Sequence, residues 1–567
     1  MISISFSNAT LVLGARTIFK NITWEIQHDS RIGLIGANGA GKSSLFKMIV
    51  GEYEPEQGGA VVRAKGVSVG YLPQDPELDL NATAFACALA GNARIAELET
   101  ELARVESKLA DPKVYGDEKF LTRALDEQHK LIEEYESLGG ATYHSRVEQT
   151  LRGLGLADSD FDKPIRALSG GQKKLVGLAR LLLAKPSVLL LDEPDNHLDL
   201  PGKAYLEKLI DDYDGAIVLI SHDRYLLDAV VSQIVEIEDG KLFVFNGDYT
   251  AYIIDKEERL ARAEELYQIQ QRMITRLELA LRRYSTWVIK SDKFASRVRS
   301  MKTRLEKVDR LDRPMLDRKR MDLELNGWRG SNKVLELIKV KKGFVVSAHF
   351  VGAQHAAPLR NAPLQNINLL IRHGERVGLI GANGAGKSVL LKIIIGEYGP
   401  DAGEMKIGPS VKMGYYAQEH ETLDFDQTLI DAVRRAKAFN EGQAVSFLGR
   451  YLFGYRQASQ KIGSLSGGER SRLQLALLVL SGVNFLLLDE PTNNLDIASA
   501  EVLENALDEF EGTALIISHD RYFLDRTVNR IVELEGGALM EHSGNYSEYE
   551  SKMNNETMNN ETMKNDK

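Results

Sequence analysis

The sequence predicts an α/β fold: two copies of one α/β domain joined by a long α-helical linker, with a helical hairpin inserted in the first copy. Three observations predict it. Five short motifs occur twice in the same order. Each copy contains an apolar strand that runs through a glycine-rich loop into an apolar helix. Between the copies, residues 255–326 contain almost no glycine or proline and read as two long helices.

The repeat comes first. GLIGANGAGKS ends at Ser43 and again at Ser388, and LSGGQ and LSGGE begin at Leu168 and Leu465. LLLDEP sets Asp192 against Asp489, ISHDRY sets His222 against His519, and GxYxxY sets Tyr249 and Tyr252 against Tyr546 and Tyr549. From Ser169 onward the offset is 297 residues, whereas Gln74 and Gln418 are 344 apart, so the first copy carries about 47 extra residues before Ser169. A duplicated domain with one insertion accounts for this.

The insertion is a helical hairpin over about residues 91–139. Ile95, Leu98, Leu102, Val105 and Leu109 alternate spacings of three and four. Asp111, Pro112 and Gly116 break that stripe, Leu121, Leu125, Ile132, Tyr135 and Leu138 mark a second one, and Gly139 and Gly140 close it. From Asn92 to Leu138 there are 12 acidic and 7 basic residues, so the hairpin should avoid phosphate backbones. The linker has the opposite character. From Arg272 to Arg320 there are 16 basic and 6 acidic residues, in a chain whose net charge is -10. Tyr284, Trp287 and Phe294 lie inside the basic stretch, and charge interleaved with aromatics suits RNA or DNA. Arg282, Arg283, Trp287, Lys290, Lys293, Arg297 and Arg299 are its candidate RNA contacts. The expected division is 1–254 for the first domain, 255–330 for the linker and 331–552 for the second domain. Residues 553–567 form a polar tail expected to be disordered.

Bulk properties narrow the class. A chain of 567 residues exceeds a single core. One cysteine, Cys87, excludes an intrachain disulfide framework and fits a reducing compartment. The first residues lack the pattern of a signal peptide, and the longest apolar run, Leu475 to Leu488, is broken by Ser481, Gly482 and Asn484. A cytoplasmic location is expected.

The motifs carry phosphate chemistry. Gly36, Ala37, Asn38, Gly39, Ala40, Gly41, Lys42 and Ser43, with Ser44 behind them, follow the strand Ile32 to Ile35. Glycines let backbone N–H groups turn inward around phosphates, and the following helix offers its positive end. Lys42 should reach the β/γ-phosphates and Ser43 should hold Mg2+. Gly381, Ala382, Asn383, Gly384, Ala385, Gly386, Lys387, Ser388 and Val389 repeat the arrangement. Val188 to Asp192 reads as a buried strand that delivers Asp192 to the sheet's carboxyl edge as a metal ligand, and Asp489 is its equivalent. Glu193 and Glu490 follow as candidate general bases. Gln74 and Gln418 could sense metal and water, and His222 and His519, each ending an apolar strand, could touch the γ-phosphate.

Phosphate loop, glutamine, LSGG signature, acidic strand and histidine, in that order twice, resemble the ATP-binding-cassette proteins. In that family two cassettes pack head to tail. The resemblance then implies that Lys42 and Ser43 share one ATP with Ser466, Gly467, Gly468 and Glu469. Lys387 and Ser388 would share the other with Ser169, Gly170, Gly171 and Gln172. Within the family the chain is similar to the ABC-F group, on the fused cassettes, the hairpin arm, the charged linker and the wording LLLDEPDNHLD, LLLDEPTNNLD, SHDRYLLD and SHDRYFLD. The group's members are translation factors or ribosome-protecting antibiotic-resistance proteins. The resemblance therefore implies a monomeric ATPase whose partner is the ribosome, its RNA and proteins, with tRNA as a further candidate, and which leaves after hydrolysis. A transporter's ATPase subunit and a DNA-handling ATPase are the alternatives. Three positions depart from the pattern. Asp195 stands where threonine is usual, Leu13 where an aromatic often stacks on adenine, and Val389 where a second hydroxyl is usual.

Overall fold

The structure is a computed structural model. It describes the chain apart from residues 15, 57, 75, 111–117, 197, 289–292, 307–329, 346–359, 418–422, 494, 554 and 556–567, and apart from the side chains of 118–120, 285–288, 293–297, 306, 344–345 and 360–363. It parts into two compact units, one of residues Met1–Phe245 with Met321–Lys567 and one of Asn246–Arg320.

In the first half, β1 (Ile2–Leu13) and β2 (Arg16–Gln27) form a long antiparallel hairpin, and β1 also pairs with β4 (Ala60–Arg63) in a sheet of order β2-β1-β4. The main sheet uses β3 (Arg31–Gly36), β5 (Val69–Leu72), β6 (Val188–Asp192), β7 (Ala216–Ile220), β8 (Gln233–Glu238) and β9 (Lys241–Asn246) in the order β5-β6-β7-β3-β8-β9. The second half repeats both sheets. Strands β10 (Lys333–Val345), β11 (Arg360–Arg372) and β13 (Ala402–Ile407) make the order β11-β10-β13. Strands β12 (Arg376–Ile380), β14 (Met413–Tyr416), β15 (Phe485–Asp489), β16 (Thr513–Ile517), β17 (Arg530–Glu535) and β18 (Ala538–Ser543) make β14-β15-β16-β12-β17-β18.

These central strands read as continuous apolar runs because helices cover both faces of a parallel sheet. Every residue of β6, β7, β15 and β16 is buried. Alternate side chains go to opposite faces. Phe485 and Leu487 join a core with Leu390, Ile393 and Ile394 of the Lys387–Ile394 helix. Leu486 and Leu488 join the other core, with Leu475 of the Gly467–Ser481 helix and Leu503 and Leu507 of the Ile497–Glu509 helix. Each such side chain contributes roughly 1.5–3 kcal/mol on burial.

The insertion forms two helices, Ala93–Leu109 and Glu118–Ser137, and a third helix, Gly140–Gly153, follows at once. The Asn92 side chain caps the first by accepting from Ile95 N–H. The pair runs antiparallel: Arg94 meets Glu134, Tyr135 donates to Glu99 and Lys108 meets Glu127. Gly139, with φ 72, is the left-handed residue between Ser137 and the third helix. In the second unit, the Tyr249–Val288 helix starts before the expected linker, because Asp248 caps it by accepting from Ala251 N–H and Tyr249 and Tyr252 pack together in its first turn. A further helix spans Lys293–Glu306. Among the described residues no helix is long and apolar enough to cross a membrane.

Candidate active site

The phosphate loops lie where the sequence places them, between β3 and the Lys42–Val50 helix and between β12 and the Lys387–Ile394 helix. Their first glycines are required by crowding. Gly36 and Gly381 have φ 151 and 146, and a Cβ there would meet the Ile237 carbonyl at 2.8 Å and the Leu534 carbonyl at 2.5 Å. Lys42 Nζ folds over its own loop and donates to Gly36 O at 2.8 Å, and Lys387 Nζ donates to Gly381 O at 2.6 Å. Burial lowers the pKa of both lysines, against the nearby Glu193 and Glu490 carboxylates.

Parallel pairing brings the acidic strand ends level with the ends of β7 and β16: Asp192 faces Ile220 and Asp489 faces Ile517. The chain then turns sharply. Glu193 and Glu490 take φ 51 and 50, left-handed values that cost a non-glycine residue on the order of 1–3 kcal/mol. The turn points each carboxylate back toward its histidine: His222 Nε2 lies 3.6 Å from Glu193 Oε1, and His519 Nε2 lies 3.6 Å from Glu490 Oε1. Burial holds His222 at a pKa of about 3, helped by Lys42, and holds His519 well below its ordinary value. Both rings are therefore neutral near pH 7.

Oxygen donors meet where a hard cation would need them. Burial raises the Asp192 and Asp489 carboxyls, and the Ser43 and Ser388 hydroxyls beside them pull the other way. Asp489 Oδ1 is buried with no hydrogen-bond partner among the described residues. Among the described residues no group of three or more His, Cys, Asp or Glu side chains could hold a metal by itself. One hydroxyl and one carboxylate per site fit Mg2+, which usually completes its shell with water and substrate phosphates.

The signature serines cap helices. Ser169 opens the Gly170–Ala184 helix and Ser466 the Gly467–Ser481 helix, each in a capping box with Gln172 or Glu469. Gln172 also donates to Asp160 at 2.7 Å, and Glu469 accepts from Gln457 at 2.9 Å. These two side chains are thus committed within their own cassettes.

One cavity of about 1280 Å³ joins parts of both cassettes. Its wall includes Ser169, Gly170, Gly171 and Gln172 from the first and Asn383, Gly384, Lys387 and Ser388 from the second, with Asp489, Glu490 and His519. Gln74, His222 and Gly467 also line it. Among the described residues, Gly36 to Ser43 do not line it. That loop meets the second cassette at Asn38, whose N–H donates to Asp496 Oδ2 at 3.4 Å. The reciprocal contact is Asn383 N–H to Asp199 Oδ2 at 3.0 Å. Asp199 and Asp496 each cap their own helix through the other oxygen, accepting from Gly202 N–H and Ser499 N–H.

The sequence reading missed these two aspartates. Their signal was present: both precede a helix and lie 297 residues apart, seven positions after Asp192 and Asp489. It also missed Lys174, which donates to Glu193 O at 2.6 Å, and Asn196, which donates to Glu193 Oε2 at 2.7 Å. Gln74 reaches the same carboxylate oxygen at 3.3 Å, while Gln418 lies outside the described residues. Of the linker candidates, Arg282, Arg283 and Arg299 are exposed. Trp287, Lys293 and Arg297 lie on helical backbone, but their side chains, and the whole of Lys290, lie outside the described residues. Leu13 is 36% exposed at the end of β1.

The chain matches the ABC transporter family at residues 19–196 and 364–493, and a related ABC transporter family at 235–325. It is 34% identical to the energy-dependent translational throttle protein EttA of Haemophilus influenzae, over 94% of this chain and 92% of that protein. It is 33% identical to ABC transporter F family member 5 of Arabidopsis thaliana, over 94% of this chain and 75% of that protein. The chain belongs to the ABC-F family of tandem-cassette ATPases. An archaeal ribosome recycling factor, solved with a ribosomal stalk protein, has a similar fold, with a TM-score of 0.57 at 17% identity over 94% of this chain and 90% of that one. This ABC-F chain thus binds and hydrolyses ATP.

Proposed function

We propose that the protein clamps two ATP molecules between its cassettes, binds the ribosome as a translation factor in that closed form, and leaves after hydrolysis. The observation that carries the reading is the shared cavity, in which the first signature helix faces the second phosphate loop. Helix N-termini favour anions, so the amides of Gly170 and Gly171 suit the γ-phosphate of the ATP held by Lys387 and Ser388. The amides of Gly467 and Gly468, behind Ser466, would serve the ATP at Lys42 and Ser43 in the same way. Asp192 with Ser43, and Asp489 with Ser388, would hold Mg2+, which polarises the phosphate oxygens when bound. Glu193 and Glu490 would take the proton of the attacking water, with the neutral histidines donating toward the γ-phosphate. Loss of that phosphate removes what the signature amides hold, so closure depends on an intact triphosphate.

The ribosomal part of the reading is supported by relatives whose names place them in translation over nearly the whole chain. The charge of residues 272–320 agrees with it physically. The domain division 1–254, 255–330 and 331–552, with the tail 553–567, belongs to the same proposal. Co-sedimentation with ribosomes tests it. Glu193→Gln/Glu490→Gln protein should pellet with ribosomes in ATP and stay in the supernatant in ADP. Equal pelleting in both nucleotides, or none in ATP, rejects it. Neutralising Arg282, Arg283, Lys290, Lys293, Arg297 and Arg299 should flatten the slope of log affinity against log salt by roughly 0.7–0.9 per lost phosphate contact. Trp287→Ala should cost roughly 1–3 kcal/mol with little salt dependence if that ring stacks on a base.

A further inference from the structure

The first cassette contains a buried ion pair that the second does not, and it reaches across to the second site. Lys203, on the Leu200–Asp211 helix, is 6% exposed. Its ammonium donates to Asp223 Oδ2 at 2.7 Å and, across the cassette boundary, to the backbone carbonyl of His519 at 2.8 Å. Asp195, also buried, accepts from Ser221 at 2.8 Å. Burial pulls the Lys203 pKa down, but the Asp223 and Asp195 carboxylates outweigh it and raise it above its ordinary value, so the ammonium stays charged. In the second cassette, 297 residues on, Thr492 replaces Asp195 and Ala500 replaces Lys203, while Ser518 and Asp520 repeat Ser221 and Asp223. Asp195 and Lys203 therefore occur on one side only.

What Lys203 touches decides its role. His519 N–H donates to Glu490 Oε2 at 3.3 Å, and the ring of His519 faces the other oxygen of the same carboxylate. Holding the His519 carbonyl fixes the backbone that aims both groups. The reciprocal position, Ala500, has no side chain long enough to do this for His222 and Glu193. A buried ammonium without partners is costly, so this contact exists to be satisfied rather than to add net stability. We propose that Lys203 is a positioning residue for the Glu490 site: supplied by the first cassette and held by Asp223 and Asp195, it sets His519 and Glu490 for hydrolysis when the cassettes are closed. The Glu193 site has no such tether, so the two sites are unequal by construction. This rests on the assignment of Glu193 and Glu490 as bases.

Single-site enzymes test it. With Glu193→Gln in the full chain, turnover comes from the Glu490 site; with Glu490→Gln, from the Glu193 site. Lys203→Met should lower kcat at the Glu490 site about 10- to 100-fold, as misplacement of catalytic groups does, and leave KM for ATP within about twofold. At the Glu193 site kcat should change by less than about threefold. Because Lys203→Met strands two buried carboxylates and could unfold the chain, Asp195→Thr/Lys203→Ala provides the second variant. It installs the pair the second cassette already tolerates, should keep the parent's melting temperature, and should show the same site-selective loss. Equal losses at both sites, a rise in KM with kcat preserved, or full turnover of the double variant at the Glu490 site would overturn the proposal. Normal turnover in Glu193→Gln/Glu490→Gln would instead overturn the assignment of the bases, and the proposal with it.

Discussion

Glu193 and Glu490 each follow a strand ending in LLLD, 297 residues apart, and share nearly the same strained φ, yet they are held differently. Glu193 Oε2 accepts from Gln74 and from Asn196, and the Glu193 carbonyl accepts from Lys174. At the second site, Ser471 stands where Lys174 would be, and Glu490 Oε1 is buried with no hydrogen-bond partner among the described residues. Burial and the neighbouring Asp489 push the Glu490 carboxyl up to about 7. The Glu193 carboxyl is also raised by burial and by Asp192, with Lys174 pulling the other way. One motif therefore delivers a carboxylate to the same place twice, and residues outside the motif set how readily it ionises.

The largest effect should come from removing both bases. Glu193→Gln/Glu490→Gln keeps the phosphate loops and the serine–aspartate pairs, so ATP binding should survive while hydrolysis falls on the order of 10²–10⁴-fold. Nucleotide binding and steady-state phosphate release, measured on one preparation, check this. Near-normal turnover would mean neither glutamate is a base.

The next effect tests whether nucleotides are shared. Lys387→Ala and Ser169→Ala would damage one ATP site from opposite cassettes, as Lys42→Ala and Ser466→Ala would the other. Groups acting through one ligand couple by about 0.5–3 kcal/mol. ATP-driven closure measured through a double-mutant cycle should be non-additive within each pair and additive between Lys42→Ala and Ser169→Ala. Additivity within the pairs would separate the sites.

A third test concerns pH. A general base works only when ionised, so a raised pKa removes activity as pH falls through it. The Glu193→Gln protein, which relies on Glu490, should lose turnover on acidification at a higher pH than the Glu490→Gln protein. Bound Mg2+ lowers and ATP charge raises both carboxyls; the ordering follows from Lys174, whose charge favours ionised Glu193 and which Ser471 replaces at the second site. Superimposed acid limbs would show that this charge does not matter during turnover.

Most of this architecture was legible because it is written in local pattern. The runs Val188 to Asp192 and Phe485 to Asp489 are apolar at every position before the acid, which only a strand covered on both faces allows. The loops, the capping serines and the hairpin stripe are equally local. What could not be read was whatever depends on the two halves meeting. Asp199 reads as an ordinary helix cap, and only the fold shows its second oxygen on Asn383 N–H. Lys203 reads as a solvated helix residue, yet it is buried against His519 of the other cassette. The Asp195 departure was visible as an oddity, but its partner lies eight residues away on the next helix and its meaning lies across a boundary.

The smallest expected effect on catalysis concerns the hairpin, the other feature that distinguishes the first cassette from the second. The structure shows where it can be cut. Ile95 and Leu98 are buried at its base, the Tyr143 hydroxyl accepts from Asn92 N–H at 3.0 Å, and Arg94 grips Glu134 through two hydrogen bonds of 2.7 and 2.8 Å. Removing all of 92–138 would strand that base and confuse loss of function with loss of folding. Removing only 102–132 and closing with a short glycine loop keeps Arg94, Glu99, Glu134 and Tyr135 in place. The second cassette carries every nucleotide motif without such a hairpin, so basal ATP hydrolysis should stay within about twofold. Ribosome affinity should weaken, and its salt slope should hardly change, because an acidic hairpin contributes no phosphate contacts. A steep fall in ATPase activity with an unchanged melting temperature would show that the hairpin acts on the nucleotide sites, and the contrast between the cassettes would then extend from the base at each site to the arm beside it.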